Sequence, residues 1–165
     1  MAKIVGIDPG LGGAIVLLDG GKIVRCEDMP TNSYTKSDGR IRRKVDPAAL
    51  AMIIRDMAPQ LVLVEAVHAS PGMGVSSAFG FGHSAGIIDA CIALSIPRNC
   101  EIKAVSPNAW KRAMNVPADK VLTTEAATSF FGSQHWPLKK HHGRAEAALI
   151  CLYGLRLREA QSLAA

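Results

Sequence analysis

The chain has 165 residues, 48% of them hydrophobic and 20% charged, which fits one packed domain and excludes a disordered polymer. Lys and Arg number 19 against 14 Asp and Glu, a net charge of +5; that balance suits an anionic partner such as nucleic acid but does not establish one. No apolar run is seen near the roughly 20 residues of a membrane span, and Met1-Ala-Lys-Ile-Val-Gly lacks the layout of a signal peptide, so a cytoplasmic protein with no membrane contact is expected.

Residues 3–8 (KIVGID) are apolar and β-branched and predict a strand; residues 12–19 predict a second. Asp19-Gly20-Gly21 is a hairpin signal before a third strand at 22–29. The chain therefore opens as an antiparallel meander. Residues 30–45 carry the turn formers Pro30, Asn32, Ser33, Ser37, Asp38 and Gly39 and a basic cluster of Lys36, Arg40, Arg42, Arg43 and Lys44. This stretch predicts a mobile, solvated loop.

Asp46-Pro47 is a helix start, with Asp as N-cap and Pro in the first turn. Leu50, Ile53, Ile54 and Met57 follow at helical spacing, and Pro59 ends the helix. The run 61–65 (LVLVE) is almost wholly apolar, as in a strand covered by helices on both faces. A Gly/Pro-rich loop leads to a long helix at 76–96, where Gly82, Gly86 and Ala90 would let another backbone come close. A strand at 101–105 precedes a Ser106-Pro107 helix start, and that helix runs to about 114. A helix at 119–131 stops at Gly132; the basic loop Lys139, Lys140, His141, His142 follows, and a last helix spans 143–159.

This order predicts an α/β fold, a mixed sheet with an antiparallel meander edge and helices on both faces. We read one domain over 1–160 and a short tail at 161–165. Sites in such sheets gather at the carboxyl ends of strands. Cys26, Cys91, Cys100 and Cys151 form no C-x-x-C pair and stand at no zinc-ligand spacing from a His; buried, reduced thiols are expected.

Asp8 ends the first strand and Glu65 ends the apolar run. An ionised carboxylate in such a place is costly unless something compensates it. Two from neighbouring strand ends would repel one another and attract a divalent cation such as Mg²⁺. Glu146, in the first turn of the last helix, is a third acid in an apolar stretch, and His142 lies four residues earlier. Each has a plainer reading alone: a turn residue, a strand end reaching solvent, a partner of the helix N-terminus, a surface histidine. Together the three acids read better as a metal site.

Three stretches then stand out as a set. Gly6-Ile7-Asp8-Pro9-Gly10, Val64-Glu65-Ala66-Val67-His68 with Phe81-Gly82-His83-Ser84-Ala85-Gly86, and Gly143-Arg144-Ala145-Glu146-Ala147-Ala148-Leu149-Ile150 resemble the RuvC-type Holliday junction resolvases, most of all the short phage-type members. The resemblance covers almost the whole chain. It implies a ribonuclease H-like fold, a homodimer, and cleavage of four-way DNA junctions that depends on Mg²⁺, with Mn²⁺ as a substitute and two ions per site. Asp8 and Glu65 fall on the first two metal-binding acids, and Glu146 falls where the family usually has its last aspartate. The family commonly places an acid or a histidine three residues before that one. Here that position is Gly143, so His142 is taken as the fourth ligand, with His141 in reserve.

The family's active-site lysines fall near Lys111 and Lys120. Its junction-stacking aromatic falls on His68. With the basic loop at 36–44, the expected DNA-facing set is completed by Arg112, Lys139 and Lys140. Two other readings remain: a RuvC-like nuclease for other branched or replicating DNA, and a junction binder that has lost catalysis. An actin-like or sugar-kinase-like phosphate binder shares the D-x-G opening but needs two such domains and a second Gly-rich motif, which 165 residues do not supply.

Overall fold

The computed structural model describes residues 2–69 and 72–164. A five-stranded sheet runs β3-β2-β1-β6-β7. Its strands are β1 (Ile4–Asp8), β2 (Ala14–Asp19), β3 (Lys22–Asp28), β6 (Leu61–Glu65) and β7 (Glu101–Val105). β1 pairs antiparallel with β2, and β2 with β3. β1 with β6 and β6 with β7 are parallel. This is the mixed sheet with a meander edge that the sequence predicts.

Side chains alternate between the two faces of a strand, and the two cores follow that rule. Ile4, Leu61 and Leu63 join one core with Trp110 and Leu149. It lies under α3 (Pro107–Met114), α4 (Lys120–Phe131) and α5 (His142–Ala164). Val5, Ile7, Val62 and Val64 join the other. It lies under α1 (Pro47–Met57) and α2 (Val75–Ser95). β6 is buried on both faces, which is why it reads as an unbroken apolar run.

The helix starts obey the capping rules. Asp46 accepts from the Ala48 and Ala49 amides, and Asp119 accepts from Val121 and Leu122. α5 runs on to Ala164, past the end expected at 159, so residues 161–164 are helical.

The basic stretch is the main departure. It is a hairpin rather than a loop: β4 (Thr31–Thr35) pairs with β5 (Ile41–Val45). The turn is closed by the Lys36 amide donating to the Arg40 carbonyl and by Asp38 accepting from the Arg40 amide, with Gly39 at φ 78°. Only Val45 of this hairpin is buried. Thr31, Thr35, Ile41 and Val45 supply the β-branched content that holds two strands together.

α2 also changes an expectation. By length and composition it is long and apolar enough to cross a membrane. In the fold it packs through Ile88, Cys91 and Ile92 into the core shared with α1. Among the described residues nothing lies within 4 Å of a β-carbon built at Gly82 or Gly86, and none of their backbones uses that small-residue face. The four cysteines are free thiols; Cys91 and Cys151 are buried, Cys26 and Cys100 only partly.

α5 lies against β1 because Gly6 has no side chain. A β-carbon there would stand 2.3 Å from the Ala147 carbonyl oxygen and 2.8 Å from the Cys151 amide. Those are backbone atoms and cannot step aside. At Gly154 the nearest atom, at 2.3 Å, is the end of the Leu63 side chain, which can turn. Gly6→Ala should therefore cost about 3 kcal/mol or more, a fall in Tm of roughly 6–12 °C. Gly154→Ala should cost distinctly less, since alanine also favours the helix by up to about 1 kcal/mol. Thermal melts of the two variants check the order.

Candidate active site

Period two carries Asp8 onto the face that holds Ile4 and Gly6, and Glu65 onto the face that holds Leu61 and Leu63. That is the face covered by α5. Ile7 pairs with Val64 in the parallel ladder, so the two acids are the next residues along neighbouring strands. Glu146 reaches the same place from α5. The three carboxylates feel one another. Burial pushes the Asp8 carboxyl up to about 7, with Glu146 and Glu65 adding to the rise; the Gly10 amide and Lys120 oppose it. Glu65 is also raised, first by burial and then by Glu146, against the pull of Trp110 and Lys111.

Two bonds tie α3 to these acids. The buried Trp110 indole Nε1–H donates to Glu65 Oε1 at 2.8 Å. Next in the chain, Lys111 Nζ donates to Glu146 Oε1 at 2.9 Å, with both side chains largely shielded. The ammonium also lies 5.2 Å from the Trp110 ring. Trp110 is the residue that sequence reasoning missed. Its only signal is a large aromatic beside Lys111 in a helix whose start is clear, and no pattern reveals what an indole N–H will meet.

His142 lies 3.2 Å from Lys120 Nζ through Nε2. Both line a groove under α4 with Trp136, Leu138 and Lys139. His141 is buried; its electrostatic neighbours are Arg144, Asp28 and Lys140, not the three acids. At Gly143 there is no room for a side chain. A β-carbon would stand 2.6 Å from the Gly12 carbonyl oxygen and 3.0 Å from Asp8 Oδ2. The first turn of α5 is pinned from outside by Arg144, whose Nε donates to Asp28 Oδ1 at 2.6 Å.

Among the described residues, the other expected DNA-facing side chains form no hydrogen bond or ion pair with the three acids. Lys36, Arg40, Arg42, Arg43 and Lys44 are exposed on the hairpin. His68 is exposed in the loop after β6, Arg112 on α3, and Lys139 and Lys140 in the single 3₁₀ turn before α5.

Three carboxylates are hard oxygen donors of the kind Mg²⁺ takes, and their mutual repulsion is what a divalent cation would relieve. By donor chemistry the site fits such an ion. As the side chains stand, no group of three or more His, Cys, Asp and Glu among the described residues is placed to hold one. Lys111 holds Glu146 and Trp110 holds Glu65 instead.

No protein-family model matches the chain, and no curated protein matches it. Solved structures do. T. thermophilus RuvC in complex with a Holliday junction substrate superposes with a TM-score of 0.60 at 14% identity, over 95% of this chain and 96% of that one. A second Thermus thermophilus RuvC structure gives 0.56 at 15% identity, over 94% and 96%. The fold is thus RuvC-like and belongs to the ribonuclease H-like class.

Two outcomes follow from the electrostatics. Burial and the neighbouring acids raise the Asp8 carboxyl to about 7 from its ordinary 3.8, so the folded protein holds this proton longer than the unfolded chain. Between those values the folded state binds the extra proton, so the contribution of Asp8 to stability falls as pH rises. Asp8→Asn should leave Tm unchanged near pH 3.5 and raise it by a few degrees at pH 8 without divalent ions. Mg²⁺ should raise the parent's Tm more at pH 8 than at pH 6, because cation and proton compete for the same oxygens, and should leave Asp8→Asn nearly unmoved. The second outcome concerns Trp110→Phe, which keeps an aromatic side chain, deletes the donor and leaves a small void at a fully buried position. Glu65 should then titrate at higher pH than in the parent, measured by carboxyl ¹³C NMR. Stability should fall by about 1.5–3 kcal/mol, the range for a hydrogen bond to a charged group.

Proposed function

We propose that the chain is a divalent-metal-dependent, structure-selective DNA endonuclease that resolves four-way junctions by paired nicks. The observation that carries this reading is the convergence of Asp8, Glu65 and Glu146 on the α5 face of a RuvC-like sheet, with Asp8 held up to about 7. Likeness to a RuvC solved with a Holliday junction substrate supports the choice of DNA.

Asp8, Glu65 and Glu146 would hold the cation, with His142 as a fourth donor beside them. Bound there, Mg²⁺ or Mn²⁺, as two ions, would supply Lewis-acid activation of water and stabilisation of the leaving oxygen, giving a 5′ phosphate and a 3′ hydroxyl. Lys111 and Lys120 stand at the acids and would take phosphate oxygens as the carboxylates turn to the metal. Trp110 keeps Glu65 aimed from the buried side. Lys139, Lys140, Arg112, His68 and the hairpin cations would carry the flanking DNA. We further propose a homodimer through the open Gly82 and Gly86 face of α2, whose twofold axis would match that of a junction, placement among the short phage-type relatives, and action in the cytoplasm of a bacterial or phage-infected cell.

A second reading, a junction binder without catalysis, draws on one observation: Lys111 already neutralises Glu146. One assay separates them. The parent, given a synthetic four-way junction, should cut it with Mg²⁺ or Mn²⁺ and not in EDTA, and should spare linear duplex. Glu65→Gln should cut at least a hundredfold more slowly, on the order of 3 kcal/mol of lost transition-state stabilisation. It should still bind, because affinity for DNA comes mostly from Lys and Arg contacts to phosphate. Tight binding by the parent with no cutting under either metal would establish the second reading. Parent-like cutting by Asp8→Asn would overturn the metal site.

A further inference from the structure

A groove of about 370 Å³ lies between the β4–β5 hairpin and the first turns of α2. One wall follows from hairpin register. Tyr34 is directly opposite Arg42, and Asn32 is opposite Lys44. Residues 34 and 36 therefore share a face with 42 and 44, and Tyr34, Lys36, Arg42 and Lys44 all line the groove. Lys44 Nζ stands 5.8 Å from the Tyr34 ring centroid, which keeps ring and charge together.

The other wall comes from one side of α2, where Ser77, Phe81 and Ser84 follow at helical spacing and line the same groove. The N-terminal end of this 21-residue helix has no side-chain cap and no acid in its first turn. Its positive end is left to whatever enters. Among the described residues no Asp or Glu lines the groove. Its floor includes Pro9 and Leu11, and Pro9 follows Asp8 directly. The groove thus opens beside the carboxylate end of β1.

Cations without a counter-carboxylate ask for phosphate. Two aromatic rings among them ask for a flat apolar face. The volume is that of a small-ligand site, far below what a duplex would need. A base stacked in a duplex cannot enter; an unpaired one can. Resting on the reading of the chain as a DNA nuclease, we propose that this groove holds one unpaired nucleotide of the bound DNA, its base against Tyr34 and Phe81 and its phosphate on Lys36, Arg42 and Lys44. The nucleotide lies in the strand that passes the three acids.

The test compares a short single-stranded oligothymidylate with a duplex of the same length, by fluorescence anisotropy and without divalent ions. Tyr34→Leu should weaken oligothymidylate binding about tenfold, the effect of one lost base–aromatic stack, and leave duplex binding unchanged. Tyr34→Phe should restore it. Phe81→Leu should act in the same direction as Tyr34→Leu. Arg42→Gln should weaken both ligands and lower the single-strand salt slope by about 0.7. A Tyr34→Leu protein with the parent's affinity for oligothymidylate, or one that loses duplex affinity equally, overturns the proposal. Circular dichroism excludes loss of the hairpin as the cause; if Tyr34→Leu unfolds it, Phe81→Leu on α2 decides the matter by the same comparison. The two readings fail separately. Junction cutting by the parent with no effect of either aromatic variant sinks the groove alone. A selective loss of single-strand binding in the aromatic variants, with a parent that never cuts, supports the groove and sinks the nuclease.

Discussion

Three carboxylates that repel one another are held together at the edge of an apolar core, and most of the surrounding structure serves that arrangement. Two of them stand at the ends of parallel neighbours, β1 and β6, where the pleat turns both to one face. The third arrives on a helix. Its approach is possible only because Gly6 lets the α5 backbone lie on β1 and Gly143 lets its first turn pass Asp8. A residue with a side chain at either point would lift the helix and separate the charges. Asp28 and Arg144 close the outer side of the same turn. The chain therefore spends two glycines and an ion pair on bringing like charges together, which no packing requirement demands.

The compensation is as local as the strain. Desolvated acids are stabilised by donors and cations close by, and α3 delivers one of each from consecutive residues. Trp110 is wholly buried and offers a single N–H; Lys111 is partly shielded and offers charge. Ser106 and Pro107 fix where this short helix begins, and hence where its two neighbours point. Stability and chemistry are at odds here in a way common to active sites: the same acids that raise one another's pKa would be relieved by a cation, and Lys111 holds one of them until then.

Much of this is legible in the sequence. The apolar run 61–65, the Asp-Pro and Ser-Pro helix starts and the acid at the end of the first strand all carry local rules, and local rules survive folding. The hairpin was not legible, because the consecutive cations Arg42, Arg43 and Lys44 break the alternation of a half-buried strand in a stretch also rich in turn formers, and composition alone favours a loop. Nor was the far end of α5, where no Gly or Pro stops the helix. His142 and Trp110 show the limit most clearly. Spacing puts His142 on the face of Glu146, yet its bond is to Lys120. Trp110 meets Glu65 across 45 residues of sequence, and long-range polar partners leave no periodic trace. The need for glycine at 143 shows only in the space around it.

A net charge of +5 is modest, and a uniform spread would give little field. Eight of the 19 Lys and Arg instead fall in two groups. One is on the hairpin, over the α1–α2 side of the sheet; the other comprises Lys120 with Lys139 and Lys140, on the α4–α5 side. A polyanion drawn to either group alone would sit beside the acids and be repelled from them. One long enough to reach both must cross the carboxylate end of β1 and β6, where Lys111 and Lys120 soften the repulsion. A nucleic-acid strand is such an anion, and a small phosphate is not.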